Sequence, residues 1–229
     1  MLSSTFLGLI SAIYVATIYP GHAKAEISGS NSITPHDYVG LGSGLENNPP
    51  WCGMSYNTLD IGRITAVQGL GNKADCGSCL RIVTDAANCG AIPPIPFKED
   101  GNIDEAKFQA EKENYQKNQV KAIAEGRSET DGMGSEQEGC KGGNGSKRWI
   151  YVMAVDQGGQ GLDVSRVSFS ALFQQPSNPT AATWETVDKA FCEGIELGEG
   201  GEGIKNYSKV SDIKVHTGDD PSADTPGSS

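Results

Sequence analysis

After Ile18 the sequence has no long hydrophobic run, it has no basic cluster, and it holds only three histidines. Each shortage removes a class of function. A spanning helix needs roughly 20 apolar residues, so nothing beyond the N-terminal segment is expected to enter a membrane. With a formal net charge of -11 and no basic patch, the chain lacks the electrostatic footprint of a nucleic-acid binder. Anionic lipid would repel it. His22, His36 and His216 lie far in sequence from the cysteines, so a Cys/His zinc site is not expected, and no cofactor motif is present. Cys76-Gly77-Ser78-Cys79 has redox spacing but does not open a helix in a βαβ setting. No Ser or Cys stands in a nucleophile elbow. Gly198 to Gly203 is Gly/Glu-rich, and its carboxylates would repel phosphate.

What is there points outward from the cell. Leu7 to Ile18 is an apolar stretch of signal-peptide length, followed by Ala23-Lys24-Ala25. This pattern predicts a secretory signal cleaved after Ala25, although no Lys or Arg precedes the apolar run. All six cysteines, Cys52, Cys76, Cys79, Cys89, Cys140 and Cys192, follow that point. An even count in an exported chain predicts a disulfide framework whose pairing the sequence leaves open. Asn144-Gly145-Ser146 and Asn206-Tyr207-Ser208 are glycosylation sequons, meaningful in a eukaryotic source. The expected location is extracellular or in the cell wall, and the expected state is a monomer.

Residues 26–50, rich in Gly, Ser, Asn and Pro, are predicted to be an extended leader, and residues 218–229 a disordered tail. Between them, 51–217 is expected to form one mainly β domain. Arg63–Gln68 and Leu80–Thr84 are short apolar runs bounded by turn residues. Trp149–Val155 is apolar at every position, so both its faces should be buried, as in a small closed barrel, with Trp149 in the core. Thr183–Val187 and Asp212–His216 alternate and are expected to be half-buried strands. Lys98–Arg127 is charged and predicts a surface helix inserted between two strands.

The block Tyr151–Phe173 carries the most information. A buried strand ends at Asp156, a Gly-rich turn follows, and Ser165 or Asp163 is placed to cap a short helix. The turn is expected to bring the Asp156 and Asp163 carboxylates to one rim. As plain structure, both aspartates would hold the turn by accepting backbone N–H bonds.

This block resembles the signature of double-psi β-barrels, the fold of rare lipoprotein A, expansins, barwin-like proteins and family-45 glycoside hydrolases. The matching residues are Val155-Asp156 and Leu162-Asp163-Val164-Ser165. Cys52-Gly53-Met54-Ser55-Tyr56 is similar to the start of the first barrel strand, and Arg63–Gln68 followed by Cys76–Ile82 is similar to the second strand pair. The resemblance covers roughly residues 51–215 and implies a six-stranded double-psi barrel with a short helix after Asp163. It further implies a polysaccharide groove, here Tyr56, Asp60, Gln68, Asp156 and Asp163. In family-45 hydrolases two aspartates act as acid and base, roughly 6.5 to 9.5 Å apart. Asp163 matches one of them, and Asp60 takes the place of the other outside the hydrolase motif. The His of expansins is replaced by Leu162, and the His of the rare lipoprotein A groove by Gln68. The expected function is therefore expansin-like binding or loosening of cell-wall polysaccharide without efficient hydrolysis. The rivals are a protease inhibitor or host-directed effector on the same barrel, and a glycosidase using Asp163 and Asp60, with Asp156 a further catalytic candidate.

Overall fold

The computed structural model describes residues 27–85, 95–126, 147–174 and 179–226. The signal segment, Cys89, Cys140 and Asn144 lie outside them. Seven strands run β1 (Ser28–His36), β2 (Ile64–Gln68), β3 (Cys79–Thr84), β4 (Lys147–Gly158), β5 (Leu162–Ser165), β6 (Thr180–Val187) and β7 (His216–Gly218). The helices are α1 (Tyr38–Leu41), α2 (Glu105–Ala124) and α3 (Arg166–Phe173).

Six of the strands close on themselves. Their order is β2-β5-β1-β6-β3-β4, and β4 returns to pair with β2. The β1/β5 and β2/β4 pairs are parallel; the other four are antiparallel. Each of the six pairs with two neighbours, and β7 covers the start of β4 through Trp149↔His216, Arg148↔Thr217 and Lys147↔Gly218. Covering an edge removes a template for unwanted pairing.

β4 explains why its sequence is apolar throughout. Ile150, Val152 and Ala154 face the barrel interior with Ile33, Val67, Leu80, Ile82, Leu162 and Val164. Trp149, Tyr151, Met153 and Val155 face outward, into a second core with Tyr38, Tyr56, Leu59, Ile61 and Ile64. Trp149 is 3% exposed, a core residue. α3 adds Val167, Phe169, Leu172 and Phe173 to the interior core, and Arg148 donates to the carbonyls of Ala171 and Leu172 at its end. A cation suits the negative end of a helix dipole.

Several expectations need correction. Ser28–His36 is not a leader: it is a strand of the barrel wall, paired on both sides. Of the positions on its inward side, Gly29, Asn31, Ile33 and Pro35, only Ile33 is a buried apolar side chain, and a Cβ on Gly29 would strike the Trp184 ring. Residues 218–226 are not a disordered tail: β7 ends at Gly218 and a 3-10 turn forms at Pro221–Ala223. Tyr56 lies in a 3-10 turn, not in a first strand. Asp212–His216 contributes only His216 to β7, because Val210–Asp212 is a 3-10 turn. Ser165 stands at the start of α3 but makes no side-chain cap; its buried hydroxyl has no hydrogen-bond partner.

Two disulfides form, Cys52–Cys76 and Cys79–Cys192. Among the described residues no helix is long and apolar enough to cross a membrane.

Candidate functional site

A row of four residues crosses the outer face of the barrel. Thr34 on β1 pairs with Asp163 on β5, Asp163 with Ala66 on β2, and Ala66 with Asp156 on β4. Directly paired residues point to the same face. A register shift between Thr65 and Ala66 skips Val155 and so brings Asp156 into the row. Such a bulge re-aims a side chain. The two aspartates therefore stand two strands apart, about 10 Å between backbones.

Each carboxylate has protein partners. Asp163 accepts from the Thr34 hydroxyl. Asp156 accepts from the backbone N–H groups of Trp51 and Gln157, both at 2.8 Å, and from the Tyr56 hydroxyl. Both carboxylates are half-buried.

Close to both lies Tyr38, which the sequence reading did not single out. Its phenol is 2% exposed, hydrogen-bonds with the Ala66 backbone and feels the charge of both aspartates. Burial, then the neighbouring Tyr56, then Asp156 and Asp163 hold its pKa well above the ordinary tyrosine value. The Tyr56 hydroxyl is likewise raised, by burial first and by Asp156 second. Tyr38 packs 5.9 Å from Tyr56 and 4.4 Å from the His36 ring, which is exposed. The signal for Tyr38 was hidden because its segment looked like a leader; only the parallel pairing of β1 with β5 carries it to the row.

The rim is polar and open. Trp51 is half-buried, with the Lys73 ammonium 5.4 Å from its ring centroid. Gln68 is exposed, and its side chain accepts from Gly161 N–H. Gly161 has φ +67°, and a Cβ there would lie 2.7 Å from the Ser32 carbonyl. Glycine is thus required where the turn meets β1.

The remaining predicted site residues fall elsewhere. Tyr56 is 4% exposed, so it supports the row from beneath and offers no stacking face. Asp60 is 5% exposed and accepts from Gly62 N–H, Ser208 N–H and the Ser208 hydroxyl. It ties the 3-10 turn Ile61–Arg63 to the segment around Ser208 and is not brought into the row. Asn206 of the second sequon is exposed. Among the described residues no group of three or more His, Cys, Asp or Glu side chains is placed to hold a metal ion. Comparison of the chain with protein-family models, with curated proteins and with solved structures gave no match.

Proposed function

We propose that this is a secreted, expansin-like double-psi barrel that binds extracellular polysaccharide at the Thr34–Asp163–Ala66–Asp156 row without efficient hydrolysis. The observation that carries the reading is Tyr38. An inverting hydrolase needs room for a water between its two carboxylates. Here a buried phenol that hydrogen-bonds with the backbone of Ala66, the residue separating Asp156 and Asp163 in the row, lies within electrostatic reach of both, while Asp60 is engaged by three donors. The aspartates suit hydrogen bonding to sugar hydroxyls, and Trp51 on the rim suits stacking on a sugar face. The closed mixed barrel with two parallel pairs is compatible with double-psi topology. Two disulfides suit an oxidising compartment.

The test is co-sedimentation of the oxidised, signal-free protein with cellulose, chitin and peptidoglycan, with released sugar assayed in the same tubes. Binding to at least one polymer is expected. Asp163→Asn should weaken it roughly tenfold, about 1.4 kcal/mol, with no sugar release from either protein. Sugar release that depends on Asp163 would make the protein an enzyme. Failure to bind any wall polymer would reject the reading.

A further inference from the structure

At the opposite end of β4, three donors converge on one oxygen. The Trp149 indole N–H and the Tyr151 hydroxyl each donate to Asp224 Oδ2 at 2.7 Å, and His216 Nδ1 lies 3.0 Å from the same atom. Trp149 and Tyr151 are 3% and 7% exposed. The His216 ring stacks on Trp149 and meets Tyr151 edge-on, so the three donors are mutually positioned. Asp224 reaches them as part of a strap: β7 pairs with the start of β4, Arg81 donates to the Pro221 carbonyl, and the chain then turns Asp224 inward.

Beside this cluster opens a cleft of about 300 Å³, with Tyr151, Phe191, His216, Arg63 and Lys214 among its lining residues. Tyr151 and Phe191 stack at 4.5 Å and give it an aromatic wall. Thr225, the residue after Asp224, is one of its lining residues. Its charges, Arg63 and Lys214 against Glu193 and Asp212, oppose one another. The cleft therefore supplies shape and aromatic surface, and the donor cluster supplies selectivity for a carboxylate. The strap fills the second with Asp224 and forms part of the wall of the first through His216 and Thr225.

We infer that the Trp149–Tyr151–His216 cluster is a carboxylate receptor occupied in cis by Asp224, and that it accepts in trans an extended acidic peptide whose Asp is followed by a bulky apolar side chain. The peptide's Asp replaces Asp224 and its next side chain takes the place of Thr225 at the cleft, while β7 with His216 stays paired to β4. A peptide is favoured over an acidic sugar because the present occupant is itself a peptide carboxylate, presented just after the 3-10 turn Pro221–Ala223. The site is about 23 Å along β4 from Asp156 and does not depend on the reading of the Asp163 row.

The test uses the full signal-free chain and its Asp224→Ala and Asp224→Asn variants. Sodium acetate should raise the Tm of Asp224→Ala above that in sodium chloride of equal ionic strength and leave wild type unmoved. A fluorescein-labelled Gly-Gly-Asp-Phe-Gly-Gly peptide should bind Asp224→Ala, or the isosteric Asp224→Asn if the first variant does not fold, roughly tenfold more tightly than wild type. A tethered competitor must be displaced only in wild type. The same peptide with Asn for Asp should not bind. Equal binding to wild type and variants overturns the proposal, and so does tighter binding of an oligogalacturonide than of the peptide. In wild type, saturating peptide should shift the Trp149 indole N–H resonance. A resonance that stays put at millimolar peptide overturns the proposal whatever the variants do.

Discussion

Asp60 and Asp163 have the same side chain and opposite surroundings. Asp163 is half-buried, with Thr34 as its hydroxyl donor. Asp60 is out of solvent, and its carboxylate satisfies two backbone N–H groups and the Ser208 hydroxyl. Removing a buried acceptor strands its donors, at about 1–3 kcal/mol for each group left unsatisfied. Asp60→Ala should therefore cost about 2–4 kcal/mol, read as a Tm drop of roughly 5–15 °C. Ser208→Ala, which removes one donor and leaves the carboxylate its backbone partners, should cost about 1 kcal/mol. Equal and small losses in the two variants would show that Asp60 is not the anchor described.

At the scale of elements, the disulfides divide the labour unequally. Cys52–Cys76 closes 24 residues and joins the segment beside Trp51 to the approach to β3. Cys79–Cys192 closes 113 residues and joins β3 to the turn that follows β6. In the chain-entropy account the stabilisation grows with the logarithm of loop length: about 3–4 kcal/mol for the first and about 5 kcal/mol for the second. Denaturant midpoints of the paired Cys→Ala variants should therefore fall further for Cys79/Cys192 than for Cys52/Cys76. The reverse order would mean that native packing, not loop length, sets the contribution. The elements also show what could be read from sequence. β3 and β4 announced themselves by apolar runs because one or both of their faces are buried along their length. β1 did not, because its outward face is mostly exposed and its inward face gives up volume to Trp184 through Gly29. The strap did not, because a single carboxylate holds its end and the residues around it are those of a disordered tail. The pair Asp156 and Asp163 was legible from the strand–turn–helix pattern. Tyr38 close to both was not, since a parallel pairing 129 residues apart, Thr34 to Asp163, leaves no local trace.

For the whole molecule, the second core on the outer face of β4 holds three tyrosines at two distant places. Tyr38 and Tyr56 sit at the Asp156 end and Tyr151 at the Asp224 end. Burial is the largest cause holding each phenol protonated, and a neighbouring aspartate adds to it in every case. Tyr151 is pushed up to about 12. In the unfolded chain these groups ionise near 10. Between that value and the folded one the native state binds more protons, so stability falls as pH rises. The tyrosine contribution is complete below about pH 10 and is lost for Tyr151 between about pH 10 and about 12. Tyr38 and Tyr56, also raised, extend the same loss to higher pH. Ionisation adds negative charge to a chain already at -11, and self-repulsion then acts in the same direction. Alkaline titration of phenolate absorbance should show these tyrosines ionising late, together with loss of the near-UV circular dichroism of the packed rings. Tyr151→Phe should remove the part of the pH dependence below about 12 while leaving the late ionisation of Tyr38 and Tyr56 in place. If all the tyrosines instead titrate near pH 10 while the near-UV signal persists, the phenols reach solvent in the folded state, and the outer face of β4 is not a closed second core.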